Sequence, residues 1–84
     1  MNWEPGARAK YEAMITRIPV FHREIARIVV DKKARINASE RGSAQVEEGD
    51  IVKAFFSEVP KAFYSLMIRL MDEVGFDYRP FQGN

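Results

Sequence analysis

Residues 20–41, VFHREIARIVVDKKARINASER, decide the fold. Turned at ~100° per residue, Phe21, Ile25, Ile28, Val29 and Ile36 fall in one arc, the signature of an amphipathic helix. Ala26, Val30 and Ala34 make a second, smaller apolar strip on the opposite side. A helix that is apolar on two sides usually runs through the middle of a bundle. The spacing therefore predicts a long central helix from about Val20 to Arg41, packed by Trp3, Phe21, Phe55, Phe63 and Leu66. Gly42 suits its C-terminal cap, since a left-handed backbone costs glycine little.

Working outward, Pro19 marks a boundary, because the residue before proline is pushed away from helix. Upstream, Pro5 suits the first turn of a short helix in which Ala7, Tyr11, Met14 and Ile15 recur to about Thr16. Downstream, Ser43 to Val46 reads as a short extended link. Glu47 and Glu48 then open a third helix, where carboxylates oppose the positive helix end, and Ile51, Val52, Ala54 and Phe55 give it an apolar side. Pro60 is placed to start a fourth helix carrying Phe63, Leu66, Met67, Leu70 and Val74, which Gly75 ends. Phe76, Tyr78 and Phe81 crowd a tail over 76–84 that has reason to fold back. The expectation is all-α: a compact single-domain bundle of three to four helices over 1–84.

Composition narrows function. The 84 residues carry 13 Lys and Arg against 12 Asp and Glu, a net charge of +1, and no cysteine. Without cysteine there are no disulfides, thiolate metal sites or thiol nucleophile. No apolar run approaches the ~20 residues of a membrane span, and no signal sequence opens the chain, so the cytoplasm is the expected location. Residues 1–46 hold nine basic and five acidic side chains, and 47–84 hold four and seven. The two halves can neutralise each other in the fold or present a dipolar surface to a partner.

Chemistry-bearing patterns are scarce. His22 is the only histidine, so no metal ligand set is implied. The serines and glycines form no nucleophile or phosphate-loop motif. Glu47/Glu48 and Asp72/Glu73 are sequence neighbours that point ~100° apart on a helix, so neither pair is a catalytic dyad. No cofactor and no catalytic residue is expected. Four features suit binding instead. Lys32 sits in the large apolar arc, with its stem packed and its ammonium in water, or else buried with a lowered pKa or paired to an acid of the third helix. Tyr64, Ile68 and Met71 widen the fourth helix's apolar stripe beyond half its circumference, either as a wider core that also takes in the aromatic tail or as a surface for self-association or a protein partner. Arg23 and Arg27, in line with Arg41, could meet an acidic group or be neutralised internally by acids. Trp3 is the one tryptophan.

A resemblance gives these residues a context. Trp3, then Arg17-Ile18-Pro19-Val20-Phe21-His22-Arg23, a long basic helix closing at Arg41-Gly42, and Val46-Glu47-Glu48 with Asp50-Ile51-Val52 together resemble the small C-terminal helical domain of light-independent protochlorophyllide reductase. The match covers residues 3–54, and 55–84 adds a helix and an aromatic tail. The complete enzyme couples ATP-driven electron delivery to reduction of a tetrapyrrole ring, with its catalytic fold and cluster ligands outside this small domain. The resemblance thus implies a non-catalytic accessory or protein-interaction module, serving a redox or tetrapyrrole-related complex. Trp3, Pro19, Phe21 and Arg23 would be its framework and contact residues. A second resemblance competes. The long helix with Arg41-Gly42, Val46 and Asp50-Ile51-Val52-Lys53-Ala54 looks like the second half of a histone fold, which would imply a dimer that binds nucleic acid.

Overall fold

Each helix begins and ends where local chemistry allows. The computed structural model describes residues 1–82, so Gly83 and Asn84 of the predicted tail lie outside the described residues. Helix α1 (Pro5–Arg17) starts on a proline, and the Glu4 carboxylate accepts the free N–H groups of Gly6 (2.9 Å) and Ala7 (2.7 Å). That satisfies two donors which helix geometry leaves unpaired. Pro19 separates α1 from α2 (Val20–Glu40). Gly42 closes α2 with a positive φ of 79°, and the Ser43 N–H reaches back to the Ala38 carbonyl at 2.9 Å.

Helix α3 (Glu48–Glu58) carries its own acidic start, and α4 (Tyr64–Val74) ends at Gly75 with φ 88°. Between them, Pro60 leads into a single 3₁₀ turn, Lys61–Phe63, so α4 begins four residues later than the proline suggests. One small strand pair was not legible in the sequence. β1 (Asn2–Trp3) runs parallel to β2 (Gln45–Val46), with Trp3 opposite Val46, and ties the N-terminus to the α2–α3 link.

The result is an all-α bundle of four helices. Its core is built from Tyr11, Met14, Ile15, Val30, Val46, Ile51, Val52, Phe55 and Met71, all closed to solvent. The tail does fold back: Phe76 is buried, and Tyr78 and Phe81 pack against the core from outside. No helix among the described residues is long and apolar enough to cross a membrane.

Helix α2 corrects the sequence reading. Its buried side is the smaller strip, with Val30, Ala34 and Ala38 at 0% exposure and Ala26 packed behind them. The larger arc faces outward: Phe21 is 92% exposed, Ile25 62% and Ile28 59%. Phe63, also expected inside, is 50% exposed. The physical reason is backbone approach. A strip of alanine and valine lets α3 lie close along α2, and Phe55 and Ile51 fill the space that large α2 side chains would have blocked.

Candidate functional site

At ~1.5 Å per residue, the 21 residues of α2 run about 31 Å, matching the molecule's longest dimension of 31 Å. Along its outer side, Phe21, Ile25, Ile28 and Ile36 recur at steps of four, three and eight, with Val20 at the N-terminal end. Lys32 occupies the gap in that row and is exposed, so of its two readings the solvated one holds. Beside the N-terminal half of α2 runs a groove of about 510 Å³. Its walls come from Met14 and Ile18 of α1's end, Ala26 and Val29 of α2, Phe55 of α3, and Leu66 and Met67 of α4. Among the described residues His22 and Glu58 are its only polar walls, and the His22 and Phe63 rings face each other at 6.2 Å on its rim. Row and groove share Ile25, so they form one apolar surface.

The other sequence candidates are held by internal contacts. Trp3 is half-buried, stacked on Tyr11 at 5.0 Å with the guanidinium groups of Arg8 (5.8 Å) and Arg35 (5.7 Å) over its ring. Arg23 donates through Nη2 to the carbonyls of Thr16 and Ile18, both at 3.0 Å, and so ties down the end of α1. Arg27 grips the Glu12 carboxylate with two bonds of 3.0 and 2.9 Å. That bond pulls the Glu12 carboxyl below its ordinary value. Met71 is fully buried, Ile68 is half-buried, and Tyr64 donates its hydroxyl to the Phe56 carbonyl while stacking edge-on against the Phe56 ring. The extra apolar side of α4 is thus largely taken up by the fold, and the uncovered apolar surface belongs to α2.

Sequence reasoning missed Phe21, Ile25 and Ile28 as surface residues. The signal was present, since one helix with two apolar arcs in an 84-residue chain has more apolar surface than one small core absorbs.

A second cleft, of about 540 Å³, lies across the molecule between α2 and α3. There Arg41 binds Asp50, and the Asn37 side chain donates to the Asp50 carbonyl at 3.0 Å. Among the described residues no three or more His, Asp or Glu side chains are grouped as a metal ion needs. Compared with known proteins, the chain matches no family model, no curated protein and no solved structure.

Proposed function

We propose that this chain is a non-catalytic interaction module that docks to protein through the outer side of α2 and the groove beside it. One observation carries the reading: a folded domain with a closed core of its own leaves Phe21, Ile25 and Ile28 largely in water on a single helix face. Exposed apolar side chains gathered on one face, here joined to the groove through Ile25, mark interaction sites on soluble domains. The resemblance to the small domain of protochlorophyllide reductase favours a redox or tetrapyrrole-related complex in the cytoplasm as its setting. The Arg17–Arg23 block that carries the resemblance contains Phe21 and leads straight into the exposed row.

The nucleic-acid reading draws less support. Six of the thirteen Lys and Arg side chains hold carboxylates: Lys10, Arg17, Arg27, Arg35, Arg41 and Arg79. Arg23 is spent on carbonyls. A duplex-binding face needs several free cations in one patch.

A photo-crosslinking residue placed at Ile28 in living cells tests the proposal. A discrete adduct is expected at position 28 and none at Lys53, which is exposed on α3. No adduct at position 28 would sink it.

A further inference from the structure

The geometry points to a second copy of this chain as the occupant of that face, with the two α2 helices crossing antiparallel at Ile28. This rests on the docking reading above and adds the identity and register of the partner.

Charge placement is the first argument. Two charged side chains, Glu24 and Lys32, lie four residues before and four residues after Ile28 on the exposed side of α2. Neither makes an ion pair among the described residues, and the same holds for Lys33 and Glu40 of α2, whereas Arg27 pairs with Glu12 and Arg35 with Asp31 at 2.6 Å. Glu24 and Lys32 differ from the other unpaired charges in flanking the exposed apolar row. Eight residues, about 12 Å of helix, separate Glu24 from Lys32, so they cannot reach each other within one copy. A two-fold axis through Ile28 maps residue 24 of one copy onto residue 32 of the other. Both Glu24–Lys32 pairs then form at once, and no charge on the row is left against its own kind. A parallel arrangement would set Lys32 against Lys32 in the middle of an apolar seam.

Self-complementarity is the second. A two-fold interface needs one patch that fits itself, with residue i meeting j and j meeting i. The α2 row meets this condition: an isoleucine at the centre, Ile25 beside it, opposite charges at equal distances, and Phe21 reaching towards the Ile36 end of the other helix. The third is size. A domain of 84 residues has little core to spare, and oligomerisation is a usual way for small domains to cover what they cannot bury alone.

Charge reversal tests the register. Glu24 and Lys32 are exposed, so their substitution leaves the monomer fold intact, which circular dichroism verifies. Sedimentation equilibrium should give twice 9.7 kDa for the parent chain. Glu24→Lys and Lys32→Glu should each raise the dimer dissociation constant by about 10-fold or more, and the double reversal should bring it back to within about 3-fold. Failure of the double reversal to recover would overturn the antiparallel crossing. A chain that stays monomeric at all concentrations would overturn self-pairing. The position-28 crosslink separates that failure from failure of the docking reading. An adduct of twice the chain mass supports self-pairing. An adduct to a different protein overturns self-pairing while docking stands, and no adduct overturns both.

Discussion

Arg41 and Asp50 form a two-pronged ion pair across the α2–α3 link, Nε to Oδ1 and Nη2 to Oδ2, both at 2.8 Å. Asp50 is only 5% exposed, and its Oδ2 also accepts the Glu47 N–H at 2.9 Å, so one carboxylate closes the end of α2 and the start of α3 together. Burial pushes this carboxyl up, but the Arg41 guanidinium and the Glu47 N–H outweigh it and hold it below the ordinary 3.8. A carboxyl lowered in the fold stabilises above its unfolded value and loses that contribution as pH falls through the folded one. Glu4 and Glu12 are lowered too, by backbone N–H groups and by Arg27 respectively. Thermal stability should therefore decline from about pH 5 towards about pH 2. Asp50→Ala should cost about 2 kcal/mol at neutral pH and flatten that acid slope. Melting curves across the pH range check both, and an unchanged slope in the variant would remove Asp50 from the account.

The position of α2 separates two phenylalanines that look alike in the sequence. Phe55 is closed to solvent and lies 6.3 Å from the Tyr11 ring, so Phe55→Ala should cost about 3 to 5 kcal/mol. Phe21 is almost wholly exposed, so Phe21→Ala should change monomer stability by no more than about 0.5 kcal/mol. Chemical denaturation at dilute concentration, where copies are apart, measures both. A large loss in the Phe21 variant would return that ring to the core.

These two residues also show where the sequence ran out. Helix limits were legible because they rest on local chemistry: Pro5, Pro19, Gly42 and Gly75 all sit at real ends. The side of α2 that is buried was not, because a helical wheel shows which faces are apolar and not which one the rest of the chain covers. The choice fell to Ala26, Val30 and Ala34 through their small size, a packing effect that hydrophobicity alone ranks below Phe21 and Ile25. The same limit moved the candidate surface from α4 to α2. Tyr64 and Met71 look surplus only until Phe56 takes the Tyr64 ring and the core closes over Met71, which leaves Ile68 half-buried. Only one side of the Arg41–Asp50 pair was legible, since Arg41 was read as the end of the central helix while the acidic start of the third was assigned to Glu47 and Glu48; pairing across nine positions needs the turn between them.

Tyr11 should set an alkaline limit. Its ring is buried between Trp3 and Phe55, and burial, followed by the charge of Asp31, pushes the hydroxyl up to about 12. A group raised in the fold stabilises fully below its unfolded value, here 10.0, and that stability drains as pH rises towards 12. The loss over that interval is on the order of 2 kcal/mol. Tyr11→Phe gives up only a long bond to the Arg27 carbonyl, 3.3 Å, so it should be nearly neutral at pH 7. It should also keep more of its stability than the parent at high pH, and parallel pH profiles for the two would rule the mechanism out.

Arg23 offers the most direct test of how the groove is held open. By bonding the Thr16 and Ile18 carbonyls from the first turn of α2, it fixes the angle at which α2 leaves Pro19. That angle sets the distance from the row to α4, because α2 and α4 touch little and the groove lies between them. Lysine keeps the charge but not the planar guanidinium that holds its donors in fixed directions. Arg23→Lys should thus cost about 1 to 2 kcal/mol and loosen the 18–22 hinge. Hydrogen exchange should show faster exchange at Ile18, Val20 and Phe21 in the variant, with α3 unchanged. Equal acceleration across α3 would mean that Arg23 supports the whole bundle and does not set this hinge.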